Sequence, residues 1–123
     1  MTRGRPESLS AVTLGVTDMA ASCGFYDALG FEAAYGGPTA PFTSYALGGT
    51  YLNLQLVERT TTGWGRFIVH VDDVDAVHAR ALAAGLQPTM APSDAPWGER
   101  YFHIDDPDGH EVSFARPLGS GGG

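Results

Sequence analysis

The sequence predicts an α+β fold built from two βαβββ modules, and two observations lead to this prediction. The segment from Ser10 to Ala34 repeats, with changes, in the segment from Trp64 to Pro88. Each copy is followed by short apolar segments that glycine or proline residues separate, as expected for strands and turns. Because one βαβββ unit covers only one face of its sheet, two units are needed to enclose a core.

Each copy begins with a strand that leads into a helix. Apolar residues alternate with other residues over 12–16 and again over 67–71, which is the period of a strand with one buried face. Asp18 and Asp73 follow these strands, where a carboxylate can cap the first turn of a helix. The residues expected to end the two helices at the C′ position are Gly30 and Gly85.

Six further strands complete the two modules. They are predicted at 31–36, 42–47, 50–58, 86–90, 100–105 and 110–115. The last two flank Asp106-Pro107-Asp108-Gly109, which matches the type I turn preferences for Asp, Pro and Gly. We therefore interpret Asp106 and Asp108 as turn residues, chosen for backbone geometry.

One structural domain with loose ends is expected. Its predicted parts are a flexible tail (1–8), a first module (9–58), a linker (59–63), a second module (64–116) and a flexible tail (117–123).

Composition excludes several classes of function. The net charge of −7 repels phosphate backbones, so we expect no nucleic-acid partner. No apolar run approaches the ~18 residues of a membrane span, so we expect no membrane partner. The first residues lack the apolar stretch of a signal peptide, and the lone Cys23 excludes an internal disulfide and a multi-thiolate zinc site. These features favour a cytoplasmic protein.

Three motifs within this repeat frame are FYDALGF (25–31), WGERYF (97–102) and DPDGHEVSF (106–114). Together with the paired modules, they resemble the vicinal oxygen chelate superfamily, which contains glyoxalases, bleomycin-resistance proteins and extradiol dioxygenases. The resemblance covers about residues 9–116. It implies curved mixed sheets with helices on the convex face, completion as a homodimer, and a ligand held on the concave faces.

Metal-dependent members of the superfamily hold the metal with His or Glu on the first and last strands of each module. The positions that the resemblance assigns are Ala11, Arg66, Ser113 and Asn53, or Gln55 in a shifted register. None is a usual ligand of a catalytic divalent metal, and a guanidinium would repel the cation. The resemblance is therefore closest to the metal-free, bleomycin-resistance-like branch, and we expect neither a metal nor another cofactor.

Strand alternation directs His70, His103 and Glu111 toward the expected cavity. Three interpretations stay open for them: a displaced metal site, a His–Glu acid–base pair, or hydrogen-bonding walls of a pocket. His110 adjoins the turn and is expected to be exposed, and His78 is expected on a helix surface.

Aromatic residues in or beside the strands suit a flat or amphipathic organic ligand. We expect Trp97, on a loop with Pro96 and Gly98, to contact that ligand, and Arg66 to meet an anionic or carbonyl group on it. The predicted ligand-binding residues are Phe42, Tyr45, Tyr51, Asn53, Gln55, Trp64, Arg66, His70, Trp97, Tyr101, His103, Glu111 and Ser113.

Two functions follow from these residues. The first is a small-molecule-binding protein that sequesters an aromatic or amphipathic organic compound, such as an antibiotic. The second is a lyase or isomerase, metal-free or with a relocated metal, that acts on a small natural product or metabolite. In that enzyme His70 or His103 would be the general base, and Arg66 or Ser113 would hold an oxyanion.

Overall fold

Two four-stranded mixed sheets, each with one helix, form the fold of the described residues 4–119, as seen in a computed structural model. The remaining parts of the two predicted tails, 1–3 and 120–123, lie outside the described residues. The elements are β1 (Ala11–Val16), α1 (Met19–Ala28), β2 (Glu32–Tyr35), β3 (Phe42–Leu47), β4 (Thr50–Leu56), β5 (Arg66–His70), α2 (Val74–Ala83), β6 (Ser93–Asp94), β7 (Glu99–Asp105) and β8 (Glu111–Pro117).

Both sheets have the same topology. The first has the strand order β1-β4-β3-β2, and the second has the order β5-β8-β7-β6. In each sheet the first strand runs parallel to the last strand of its module, and the other neighbours pair antiparallel. This repetition confirms the predicted α+β fold of two βαβββ modules. Within residues 4–119, neither helix is long and apolar enough to cross a membrane.

The predicted helix ends are also confirmed. In both helices Oδ1 of the N-cap residue, Asp18 or Asp73, accepts a hydrogen bond of 3.0 Å from the backbone N–H three residues later. Gly30 and Gly85 follow the helices with φ values of 92° and 80°, a left-handed conformation that glycine adopts without steric cost.

The predicted strand at 86–90 is wrong. The edge strand of the second sheet is the two-residue β6, and 86–90 form an irregular segment. Pro88 has no backbone N–H to donate to a sheet. Thr89 makes the connection to β7 instead, because its backbone N–H and its hydroxyl both donate to the carbonyl of His103, at 3.0 and 3.1 Å.

The core lies on the helix-facing sides of both sheets and is continuous between the modules. Val112 and Phe114 are buried in it, as predicted, and the rings of Phe31 and Phe114 meet across the modules at 6.0 Å. Tyr45 is also fully buried, and its hydroxyl donates to Asp27 Oδ1 at 2.9 Å. Its predicted place on the ligand cavity is therefore wrong, because alternation along β3 turns it toward the core.

The DPDG turn joins the two modules. Its predicted turn geometry is confirmed by a 2.8 Å bond from the N–H of Gly109 to the carbonyl of Asp106. The carboxylate of Asp106 is buried and accepts a 2.7 Å hydrogen bond from the hydroxyl of Tyr26, on α1 of the other module. Burial, followed by the nearby Asp106 charge, raises the pKa of Tyr26, so this phenol remains a hydrogen-bond donor. The hydroxyl of Thr17 donates to Asp108 at 2.6 Å.

His110 lies at the same contact between the two modules, which corrects the prediction that it is exposed. Its side chain is almost fully buried, and Nε2 lies 2.8 Å from the carbonyl of Gly15 on β1. Because a carbonyl oxygen only accepts, Nε2 carries the proton, and Nδ1 is free to accept a 3.0 Å bond from Trp64 Nε1. The predicted ligand residue Trp64 is thus hydrogen-bonded at the contact between the two modules, although its ring is about half exposed.

Candidate functional site

The face of the second sheet opposite α2, which we call the second open face, carries most of the predicted site residues. Along β7 and β8 the core residues alternate with residues that point the other way. A cavity of about 450 Å³ lies on this face. Its lining residues are Arg66, Ile68, Trp97, Glu99, Tyr101, His103 and Ser113.

Three rings form an aromatic wall along one side of this cavity. The ring centroids of Trp97 and Tyr101 are 5.6 Å apart with an interplanar angle of 34°. Those of Tyr101 and His103 are 5.1 Å apart with an angle of 55°. These separations are within the range of favourable aromatic pairs, so the wall presents an extended surface for a flat ring.

Glu99 sets the orientation of Trp97. Its Oε1 accepts a 2.9 Å hydrogen bond from Trp97 Nε1, and its Oε2 lies 3.3 Å from His70 Nε2. The bond from Trp97, and then the one from His70, lowers the pKa of the Glu99 carboxyl, so it is ionised at neutral pH. Trp97 remains 68% exposed, so its ring is oriented without being covered.

Arg66 and Glu111 form an ion pair beside the wall. Arg66 Nε donates to Glu111 Oε1 at 2.8 Å, and the two side chains are 47% and 31% exposed. Within residues 4–119, neither Nη group of Arg66 makes a hydrogen bond, so two adjacent donors are available to a ligand. Glu111 therefore fixes the orientation of the guanidinium through Nε and leaves its two Nη groups for other partners.

His103 is the most desolvated histidine of this face. Burial is the largest cause that lowers its pKa, and the positive charge of Arg66 adds to it, while Glu111 and Asp105 act in the opposite direction. Its Nδ1 atom is buried and has no hydrogen-bond partner in the described part of the chain. The imidazole is therefore neutral at pH 7, as a general base or hydrogen-bond acceptor must be.

The predicted grouping of His70, His103 and Glu111 is realised only in part. All three lie on β5, β7 and β8 of the second sheet, but Glu111 pairs with Arg66, and His70 pairs with Glu99. Glu99 is not among the residues predicted for the site. It has the same strand parity as Tyr101 and His103, and that signal was sufficient to place it at this face.

The first open face, on the first sheet opposite α1, differs in its polar contacts. Asn53 Nδ2 donates to the hydroxyl of Thr13 at 3.2 Å, and Asn53 Oδ1 accepts from the hydroxyl of Ser44 at 2.7 Å. Phe42 and Gln55 stand opposite each other in the next row of this face. The structure places these three predicted residues, Phe42, Asn53 and Gln55, on the first sheet, away from the aromatic wall of the second.

A larger cavity of about 590 Å³ lies between the two sheets, alongside β5. Of the predicted site residues, it brings together Tyr51, Trp64, Arg66 and His70. We call this cavity the inter-sheet cleft.

The positions that correspond to a metal site do not fit a metal. Asn53 is already bonded to Thr13 and Ser44, and Arg66 places a positive charge at the other module's position. Across residues 4–119, no group of three or more His, Cys, Asp or Glu residues could hold an ion.

Comparison with known proteins identifies the family. The model of the Glyoxalase/Bleomycin resistance protein/Dioxygenase superfamily matches residues 8–114. The chain belongs to this superfamily. The superfamily resemblance inferred from the repeat and the DPDG motif is thus confirmed.

Sequence similarity extends to mycobacterial proteins. An uncharacterized protein of Mycobacterium bovis is 37% identical over 76 residues, which are 62% of this chain and 41% of that protein. The chain thus spans about two fifths of the length of that relative.

The solved structures that share this fold include a resistance protein and an enzyme. A bleomycin resistance determinant encoded on transposon Tn5 has a TM-score of 0.74 at 20% identity, covering 90% of this chain and 98% of that chain. A lactoylglutathione lyase from Agrobacterium tumefaciens has a TM-score of 0.73 at 23% identity, covering 90% and 94%.

Proposed function

We propose that this superfamily member binds and sequesters an aromatic or amphipathic organic compound, such as an antibiotic, on its second open face. The observation that supports this most is the aromatic wall, whose exposed leading residue, Trp97, is held by Glu99. Binding sites of this kind combine apolar and aromatic walls with a few fixed polar groups. Here the polar groups are Arg66, His103 and Ser113.

The lack of fit to a metal at the superfamily positions agrees with a binding function. Stacking on Trp97 and Tyr101 supplies affinity, and the oriented guanidinium of Arg66 selects a ligand with an anionic or carbonyl group. Sequestration needs no bond to be made or broken, so it needs only the shape, burial and charge of this face.

Fluorescence titration tests the binding function directly. The two tryptophans are Trp64 and Trp97, so the Trp64→Phe variant leaves Trp97 as the sole indole reporter. With a panel of aromatic antibiotics and naphthalene carboxylates, we expect saturable quenching in this variant. Trp97→Ala should weaken binding of the same probe about tenfold, or ~1.4 kcal/mol, measured by calorimetry.

A panel that produces no saturable signal in either protein would contradict the proposal. Unchanged affinity in Trp97→Ala would show that Trp97 has a structural function and that the ligand lies elsewhere.

A metal-free lyase or isomerase is the second candidate, and His103 is the observation that favours it. Its neutral imidazole stands opposite Ser113 in the cavity, where it could accept a proton from a bound substrate. Mass spectrometry of a bound compound after incubation separates the two functions. Recovery of the compound unchanged supports sequestration, whereas conversion that His103→Gln abolishes without loss of affinity supports the enzyme.

We also propose a homodimer, as the superfamily resemblance implies, and a cytoplasmic location, which the composition favours. Light scattering after size exclusion should give about twice the chain mass of 12.9 kDa. A monomer at all concentrations would instead mean that one chain completes the site.

A further inference from the structure

The cavity of the second open face and the inter-sheet cleft share a wall. Arg66 and Ile68 line both the cavity of the second open face and the inter-sheet cleft. A compound on the aromatic wall that reaches Arg66 therefore stands at the mouth of the cleft.

The inter-sheet cleft is apolar in character. Its volume of about 590 Å³ is within the roughly 300–1,000 Å³ typical of small-molecule sites. The aliphatic and aromatic residues of both modules that line it include Leu9, Val12, Leu47, Leu52, Phe67 and Val69.

Several residues at the cleft are apolar and exposed to water. Leu9 is 68% exposed and Ile68 is 58% exposed. An apolar surface of this kind is stabilised when an apolar group covers it, because the water in contact with it is released. A ligand tail of hydrocarbon meets that requirement.

The charge of Arg66, where the two cavities meet, indicates which chemical group of the ligand lies beside it. Arg66 is the one arginine among the residues that line the two cavities in the described part of the chain, and its Nη groups have no partner there. Two parallel N–H donors match the two oxygens of a carboxylate.

We propose that the inter-sheet cleft is a subsite for an aliphatic chain, on a ligand whose carboxylate binds Arg66 and whose aromatic ring lies on Trp97 and Tyr101. This inference rests on the proposed binding function and specifies its ligand class. Ring, carboxylate and chain must then branch from one point close to Arg66, since the wall and the cleft extend from it separately.

The probes that match this geometry are 2-phenylalkanoates, in which the ring, carboxylate and alkyl chain share one carbon. We expect calorimetry to show about fourfold tighter binding for each methylene added between 2-phenylpropanoate and 2-phenyloctanoate. That factor corresponds to the ~0.8 kcal/mol of a buried methylene. The primary amides of the same compounds should bind at least tenfold more weakly to the native protein, and Arg66→Gln should remove this preference.

Filling the cleft provides the decisive variant. Thr50→Trp places an indole in the cleft and should abolish the dependence on chain length. Thr39→Trp is the matched control, because Thr39 is exposed in the loop between β2 and β3, and it should keep the native dependence. Should Thr50→Trp not fold, Leu9→Asp puts a charge at the exposed rim and should reduce the gain per methylene at least twofold.

The outcomes separate this inference from the function on which it rests. If 2-phenylpropanoate binds in a Trp97-dependent manner and longer chains bind no tighter, the cleft subsite is wrong while the binding function stands. If Thr50→Trp also converts a dimer to a monomer, a second copy of the chain covers the cleft, which likewise overturns the subsite. If no member of the series binds, both the subsite and the binding of aromatic carboxylates are wrong.

Discussion

The two sheets share one topology, but their open faces differ in whether their polar groups have hydrogen-bond partners within the protein. On the first, Asn53 connects Thr13 and Ser44 in a chain of hydrogen bonds that satisfies its own polar groups. The residues at the same register positions of the second sheet are Ile68, Ser113 and His103. There the buried Nδ1 of His103 lacks a partner within residues 4–119, and Trp97, at the end of the aromatic wall, is exposed.

This difference illustrates how two copies of one repeated unit can have different functions. A polar face that satisfies its own hydrogen bonds gains little from a ligand, because each new bond replaces an existing one. A face whose oriented groups lack partners within the protein can bond a ligand without breaking a hydrogen bond of the protein itself. We therefore assign the proposed binding to the second module and a structural function to the first open face.

The two hairpin turns before β4 and β8 differ in the same way. The first is the glycine pair Gly48-Gly49, and the second is the DPDG turn that binds the other module through Asp106 and Asp108. Only in the second copy does the turn carry carboxylates that reach across the modules.

The largest effect is expected from breaking this turn. Asp106→Ala leaves the hydroxyl of Tyr26 and the N–H groups of Asp108 and His110 without their acceptor. We expect the free energy of unfolding to fall by about 3 kcal/mol or more, since each buried unsatisfied group costs ~1–3 kcal/mol. Urea denaturation should show the loss as a lower midpoint.

The matched control is Gly49→Ala in the first turn. A Cβ at Gly49 would have no atom within 4 Å, and its φ is not in the left-handed region, so stability should change by no more than ~0.5 kcal/mol. Equal effects in the two variants would contradict the distinction between the turns.

An intermediate effect is expected from the rings that occupy matching positions of the two faces. Tyr101 and Phe42 stand in the same row of their sheets, opposite Ala115 and Gln55 respectively. Tyr101→Ala should weaken binding of an aromatic carboxylate about tenfold in calorimetry, or ~1.4 kcal/mol, whereas Phe42→Ala should change it less than about twofold. Similar losses in both variants would mean that both open faces contact the ligand.

The smallest effect concerns the pH dependence of His103. Its pKa in the folded protein lies below the ~6.5 of the unfolded chain, so the unfolded state binds the proton first as the pH falls. Stability should therefore decrease below about pH 6.5 and level off once the pH is below the folded pKa. His103→Gln should lack this component of the stability curve, and NMR titration of the native protein should show a histidine that titrates below 6.5.

Ser44, which occupies the matching position of the first sheet, provides the control, since Ser44→Ala leaves that component unchanged. A His103 resonance that titrates above 6.5 would show that the charges of Glu111 and Asp105 outweigh burial.

Local signals were sufficient for both helices, for all strands except the one predicted at 86–90, and for most of the faces. The helix caps Asp18 and Asp73 and the DPDG turn were predictable because each depends on residues within a few positions. Two-residue alternation also placed Tyr101 and His103 on the cavity side of β7.

Two predictions of burial, for Tyr45 and His110, were wrong for different reasons. Tyr45 lies on the core side of the two-residue alternation along β3, whereas its predicted place at the cavity rested on its aromatic ring. His110 is buried because β1 of the other module covers it, and a hairpin sequence contains no sign of that neighbour. For the same reason the partners of Asp106 and Asp108 could not be predicted.

The bonds of the DPDG turn also have a consequence for the order of folding. They join residues that are 80 and 91 positions apart in the chain, Tyr26 to Asp106 and Thr17 to Asp108. Contacts of such long sequence separation close large loops and therefore form slowly. During synthesis, α1 is complete long before its partner carboxylate leaves the ribosome. The first module consequently reaches its full stability only after the last hairpin has been translated.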